Sequence, residues 1–457
     1  MAYLLNLLYL TAILLASPWL AFQAAFRGKY REGWSQKLLG RVPVRSGKNK
    51  CVWFHAVSVG EVNLLAPLLA RWDQHYPDWE CVISTTTQAG YTLAKKRYAP
   101  RMIFYCPLDF TWSVKNALRR IRPDLLILAE LELWPNLITA AKQRGTSVAV
   151  INGRLSDKSF RGYQRTHWLT RRILSRVDVI AAQSEEYAER FRQLGGAPEK
   201  VAITGSIKFD GASTNRANPS TTRLKGLAGI SDQDVVFLAG STQDPEERLA
   251  LDAFARLLAE HPRLRLILVP RHPERFDSVA RILEHRGIPW QRRSRLEADG
   301  ANTQARVLLV DVVGELAAWW GAARMAFVGG SLGKRGGQNM IEPAAYGVAV
   351  SFGPNTWNFR DVVTMLLSRD AAAVVQDGKE LEAFVRRCLL EPGYADELGR
   401  RAQSLVKEQL GAADRTMELL HPLVQPHLSE SPRVDAPHQA ALRAPAVRAL
   451  GVGKSAS

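Results

Sequence analysis

Short apolar runs rich in β-branched residues recur along this chain, separated by amphipathic stretches of helical length, and this alternation restricts the fold more than any other feature. In the first half the runs are CVWFHAVS, CVISTTT, MIFYCPL, LLILAE, SVAVING, VIAAQS and VAITGS. Runs that are apolar throughout suit strands buried on both faces of a parallel sheet. Between them lie LLAPLLARWDQHY and QSEEYAERFRQLGG, the second opening on Ser184 and stopping at Gly195 and Gly196. The pattern predicts a doubly wound α/β domain over residues 27–210. Residues 211–222, GASTNRANPSTT, are small and polar and read as a linker. The alternation then resumes with VVFLAGS, LRLILVPRH, VLLVD, MAFVGGSL and VAVSFG, which predicts a second α/β domain over 223–428. A chain of 457 residues is long enough for two such cores. The Pro/Ala/Ser/Arg-rich stretch 429–457 has no sustained period and is expected to be disordered. Two open sheets joined by a linker leave a cleft at the C-terminal ends of their strands, where ligands of such sheets bind.

The first 26 residues, MAYLLNLLYLTAILLASPWLAFQAAF, carry no charged side chain. They predict a hydrophobic anchor helix, since a span needs about 20 apolar residues. Arg27, Lys29 and Arg31 follow the run instead of preceding it, unlike a cleaved signal, and place the rest of the chain in the cytoplasm. Asn6, Thr11, Ser17 and Pro18 interrupt the run, so an in-plane anchor is the alternative to a span. The formal net charge of +17 favours anionic partners. No nucleic-acid-binding signature accompanies it, and an anionic membrane surface is the partner expected, with no nucleic acid. The four cysteines form no CxxC pair and the nine histidines no HExxH pair, so neither a metal site nor a cofactor is expected.

Five segments carry candidate chemistry, each near the predicted C-terminal end of a strand. Ser58-Val59-Gly60-Glu61 satisfies the S-x-x-E capping box, so Glu61 has a purely structural reading. Its functional reading is a general base at a helix start that favours the ionised form. LAELELWPN holds Glu130 and Glu132, which share a face if the strand continues, and Pro135 predicts a helix starting after Trp134. TGSIKFD puts Lys208 at the edge of the cleft, where it could steady a leaving phosphate. LVPRHPERF fixes Arg271 between prolines, suited to an anion contact or to plain solvation. FVGGSLGKRGGQNMIEPAAYG carries five glycines (Gly329, Gly330, Gly333, Gly336 and Gly337) around Lys334 and Arg335, before a predicted helix. It predicts an anion cradle of backbone amides at a helix start, although it matches neither a Walker A loop nor a GxGxxG fingerprint.

Seven of these stretches in order resemble the 3-deoxy-D-manno-octulosonic acid (Kdo) transferases of lipopolysaccharide assembly. They are HAVSVGE, LAELELWPNL, NGRLSDKSF, AAQSEEYAERFRQLG, TGSIKFD, LVPRHPERF and VGGSLGKRGGQNMIEPAAYG. The resemblance implies a GT-B fold of two Rossmann-like domains on the cytoplasmic side of the cell inner membrane. It further implies transfer of Kdo from CMP-Kdo to the 6′ hydroxyl of a lipid A precursor, lipid IVA, with inversion. Carried over by motif, Glu61 is the proton acceptor, and Glu130 and Lys208 stabilise the transition state. The CMP contacts fall on Pro270 and Arg271, on Val313, Gly314 and Glu315, and on Asn339, Met340, Ile341 and Glu342. The N-M-I-E here differs from the family's N-P-L-E in its hydrophobic pair. Rival readings are a GT-B relative or epimerase using another nucleotide sugar, and a membrane-tethered module that only binds anionic lipid.

Overall fold

The computed structural model describes residues 2–27 and 32–424; the expected disorder of 429–457 lies outside the described residues. The first sheet holds β1 (Cys51–His55), β2 (Glu80–Thr85), β3 (Met102–Tyr105), β4 (Leu125–Ala129), β5 (Ser147–Gly153), β6 (Val179–Ala182) and β7 (Val201–Ile203). All are parallel, in the order β3-β2-β1-β4-β5-β6-β7. The second sheet holds β8 (Val235–Thr242), β9 (Leu264–Pro270), β10 (Trp290–Arg292), β11 (Val307–Leu309), β12 (Met325–Val328), β13 (Ala349–Phe352) and β14 (Ala373–Val374). It too is parallel, in the order β10-β11-β9-β8-β12-β13-β14. The apolar runs are buried because helices cover both faces of each sheet: Val52, Trp53 and Phe54 are fully buried, and alternate residues feed opposite cores.

The strand order fixes where ligands can bind. In each sheet the winding reverses beside the first strand, between β1 and β4 in one and between β8 and β12 in the other. Chains leaving neighbouring strands there diverge to opposite faces and open a crevice at the C-terminal edge. Glu61 follows β1 and Glu130 follows β4, so the first crevice lies between them.

Two expected boundaries move. The linker ends at Asn218, which caps a helix over Pro219–Leu227 by accepting from the Thr221 amide at 3.0 Å. The second domain ends before 428, because the helix Ala412–Val424 crosses back onto the first. Ala412, Met417, Leu420 and Val424 join Val62, Leu65 and Leu69 in the first domain's core. Asp210 ties the outward and return crossings together by accepting from the amides of Gly411 and Ala413.

The N-terminal run forms a helix over Ala2–Arg27, but no helix among the described residues is long and apolar enough to cross a membrane. Asn6 exchanges hydrogen bonds with Thr111, its Nδ2 donating to Oγ1 at 2.8 Å and its Oδ1 accepting from the Thr111 amide at 3.1 Å. Tyr9 packs edge-on against Phe110, so the first turns are docked on the domain. Leu14 and Leu15 remain exposed, at 70% and 79%.

Candidate active site

Glu61 lies in the first turn of the helix Val59–His75, and the capping box forms. Ser58 Oγ accepts from the Glu61 amide at 3.4 Å, and Glu61 Oε2 accepts from the Val57 amide at 2.7 Å. Ser58 Oγ also donates to Glu61 Oε1 at 2.9 Å. These bonds turn the carboxylate back toward the strand end, while its neighbours Gly60, Asn63 and Leu64 face the interdomain cleft. Burial pushes the Glu61 pKa up against those hydrogen bonds, and the charge of Glu130 adds to the rise. The helix start was expected to favour the ionised form; desolvation outweighs it here.

Glu130 does not continue β4. Its φ of +57° is in the left-handed region, so the shared strand face expected for Glu130 and Glu132 is lost at once. The turn brings both acids to Glu61 by another route. Glu130 Oε1 meets Lys208 Nζ at 3.1 Å, joining the end of β4 to the turn Ile207–Phe209. Glu132 Oε2 accepts from Trp134 Nε1 at 2.8 Å and lies 4.0 Å from His55 Nε2. Burial, then the charge of Glu61, pushes the Glu132 carboxyl up to about 7. His55 is fully buried, which pushes it down to about 4, and its Nδ1 meets Ser84 Oγ at 2.9 Å. Asn152, also at positive φ, holds the Lys208 turn by accepting from the Ile207 amide at 3.0 Å. Pattern reading assigned no role to His55 or Asn152. Asn152 bonds a turn 55 residues away, and such a buried cap across the fold leaves no local signal.

The cleft between the lobes has a volume of 800 Å³. The first domain gives it Asn63, Arg97 and Lys208; the second gives Arg271, Gly314, Asn339, Ile341 and Glu342. Arg271 is pinned at the end of β9 by its amide donating to Thr242 O at 3.0 Å. Asn339 Oδ1 accepts from the Ile341 amide at 3.0 Å, and its Nδ2 donates to Glu342 Oε1 at 3.0 Å. Burial raises the Glu342 pKa.

Neither Glu61 nor Glu130 is among the residues that line the cleft, and four of the expected CMP contacts do not line it either. Pro270 is buried as the last residue of β9. Met340 is fully buried in the second domain's core, which explains how the N-M-I-E pair tolerates a bulky residue. Val313 is 79% exposed beside the cleft. The Glu315 carboxylate is held by the Arg293 guanidinium in two bonds, 2.7 and 2.6 Å, leaving Gly314 to turn the backbone at φ +98°.

The glycine-rich cradle forms, but it is filled from within the chain. Buried Glu246 accepts from the amides of Gln243, Gly330, Ser331 and Leu332 at 2.7–3.0 Å. A Cβ at Gly329 would sit 2.6 Å from Thr242 Cα, so only glycine permits this approach. The helix expected after the glycines forms over Ile341–Ala345. Lys334 and Arg335 line a separate pocket of 370 Å³ with Gln243, Asp244 and His272.

Comparison with known proteins identifies the family. Residues 32–211 match the family model for 3-deoxy-D-manno-octulosonic-acid transferase (kdotransferase). A 3-deoxy-D-manno-octulosonic acid transferase of Haemophilus influenzae is 35% identical over 377 residues, covering 82% of this chain and 87% of the relative. One of Chlamydia trachomatis is 30% identical over 421 residues, covering 90% and 94%. Among solved structures, UDP-GlcNAc 2-epimerase from Neisseria meningitidis superposes with a TM-score of 0.54 at 13% identity, covering 81% of this chain and 99% of that one, a likeness of fold. With two parallel-sheet lobes, a carboxylate–lysine cluster at one rim and relatives matched over most of its length, the chain belongs to the Kdo transferases, glycosyltransferases of lipopolysaccharide biosynthesis.

Proposed function

We propose that this enzyme moves Kdo from CMP-Kdo to a hydroxyl of a lipid A precursor, lipid IVA, with inversion, on the cytoplasmic side of the cell inner membrane. The observation that carries the reading is Lys208 on one lobe, facing Arg271, Asn339 and Glu342 of the other across the cleft and paired behind it with Glu130, whose charge reaches Glu61. The acceptor hydroxyl loses its proton to Glu61, its oxygen bonds to the anomeric carbon, and the bond from that carbon to the phosphate oxygen breaks. CMP leaves with the electron pair. Each Glu61 oxygen uses one lone pair for capping and keeps another for the incoming proton. The raised proton affinity of Glu61 makes it a stronger base than an exposed carboxylate. Lys208, held by Glu130, and Arg271 oppose the charge that builds on the departing phosphate. The exposed leucines of the N-terminal helix support an in-plane contact with the bilayer that holds the acceptor.

The test is incubation of the full chain with CMP-Kdo and a tetra-acylated lipid A precursor, with products read by mass spectrometry. The expected result is addition of Kdo together with release of CMP. Equal transfer from uridine-linked sugars, or no product with CMP-Kdo, would overturn the reading.

A further inference from the structure

Glu61, Glu130 and Glu132 lie close enough to feel one another's charge, and the ammonium of Lys208 is bonded to Glu130. Three ionised carboxylates against one ammonium would leave two negative charges behind a cleft that has to admit an anionic donor. A proton kept by one of the three relieves that repulsion. The hydrogen bonds single out which one. Glu61 is served as an anion by the Val57 amide and the Ser58 hydroxyl, and Glu130 by Lys208. Among the described residues Glu132 receives one neutral donor, the Trp134 indole N–H at 2.8 Å.

The imidazole behind Glu132 is the complementary half. His55 is fully buried, and its Nε2 has no hydrogen-bond partner, standing 4.0 Å from Glu132 Oε2. Its Nδ1 lies 2.9 Å from Ser84 Oγ, which already accepts from Trp53 Nε1 at 2.7 Å. A hydroxyl oxygen accepts two bonds, and with Nδ1–H as the second donor the Nε2 of His55 is left a bare acceptor. Burial pushes the ring down to about 4, so it carries no charge at neutral pH. A buried acceptor needs a donor, and the Glu132 carboxyl is one only while it keeps its proton. The gap is about 1 Å longer than a hydrogen bond, which a small turn of the carboxyl closes.

We propose that Glu132 is a positioning residue that holds a proton at neutral pH, its O–H turned to His55 Nε2, and so leaves Glu61 as the ionised acid that takes the acceptor's proton. The role in transfer rests on the function proposed above; the proton on Glu132 does not. The other titratable groups around Glu132 are Glu61, Glu130 with its Lys208, Cys106 and Tyr163. Burial raises Cys106 and Tyr163, which stay protonated, so the two acids are the charges that oppose ionisation of Glu132. Once Glu132 does ionise, an unpaired charge stands beside Glu61 and against the anionic donor.

The test compares the full chain with Glu132→Gln, a lasting copy of the protonated acid that offers an N–H to His55 and an oxygen to Trp134. Initial rates at varied CMP-Kdo are taken at pH 6 and pH 8. With Glu132 ionising near 7, kcat/KM of the parent should fall about tenfold between them. Glu132→Gln should match the parent at pH 6 and change less than about twofold by pH 8. A variant slow at both pH values, or one with the parent's alkaline loss, would overturn the proposal. Nitrogen NMR of histidine-labelled protein reads the tautomer without any substrate, with a His55→Gln sample to assign the signal. A neutral His55 bearing its proton on Nδ1, with an Nε2 signal that moves between pH 6 and pH 8 in the parent and stays still in Glu132→Gln, is the expected result. A proton on Nε2 in the parent would overturn the proposal. If the parent transfers nothing, the functional reading fails, and the tautomer alone decides where the proton sits.

Discussion

Glu61 both caps a helix and is proposed to take a proton, and three substitutions separate the roles. Ser58→Ala removes the hydroxyl that accepts from the Glu61 amide, which costs about 1 kcal/mol of stability. Glu61→Gln keeps an oxygen for the Val57 amide, so its stability cost is smaller. Glu61→Ala leaves that amide without its partner and costs about 1–3 kcal/mol. On rate the two Glu61 variants fall together and apart from Ser58→Ala. Both Glu61 variants lose the base and should transfer Kdo about 10²–10⁴-fold more slowly, while Ser58→Ala stays within about tenfold of the parent. Denaturant unfolding gives the stabilities, and initial rates at saturating CMP-Kdo give the transfer. Because burial and Glu130 raise the proton affinity of Glu61, the rate should also fall on acidification at a higher pH than an exposed carboxylate would give. A Glu61→Gln enzyme working at the parental rate would refute the base assignment. A Ser58→Ala enzyme as slow as Glu61→Gln would show that the shape of the turn, not proton transfer, limits the reaction.

Three further outcomes follow from the same geometry. Glu132 is raised from 4.5 to about 7, so the folded state holds its proton more tightly than the unfolded chain does. Its contribution to stability is present below pH 4.5 and lost as pH rises through 7, so Glu132→Gln should gain about 1–2 kcal/mol over the parent at pH 8 and little at pH 4, read by unfolding at both. Glu246→Ala leaves four amides without their acceptor and should cost about 3 kcal/mol, seen as a melting point lower by several degrees. Arg154 and Asp361 form a two-bonded ion pair between the lobes at 2.9 and 3.0 Å, and a double-mutant cycle on them should give a coupling of about 0.5–1 kcal/mol, since both are about a third exposed.

The lobes were legible because a strand buried on both faces leaves an uninterrupted apolar run, and every such run became a strand. The short strands β10 and β14 were not, because half-buried edge segments need little apolar sequence. Local chemistry survived translation into structure where it depended on neighbours in sequence, as in the capping box at Glu61 and the helix start at Pro135. It failed where partners come from far along the chain. Nothing near Gly330 announces that Glu246 fills its amides, and nothing near Leu420 announces that its helix returns to the first domain. The strained residues are the sharpest case. Glu130, Asn152 and Ser241 adopt positive φ without being glycine, at about 1–3 kcal/mol each, and only long-range packing can impose that.

Those three strained positions bear on how the lobes divide the work. Glu130 and Asn152 end strands of the first sheet and set the Lys208 contact, whereas Ser241 lines the cleft at the end of β8 in the second. The proposed proton acceptor and the lysine belong to one rigid body, and the arginine and asparagine of the donor wall to the other. Reaction therefore depends on the distance between bodies more than on any side-chain rotation within one. The chain crosses between them twice, at 211–218 and again before Ala412, and Asp210, at the start of the first crossing, accepts from the Gly411 and Ala413 amides of the second. Two adjacent crossings are tied at one carboxylate. The Arg154–Asp361 pair adds a partly exposed, weak tie between the same bodies.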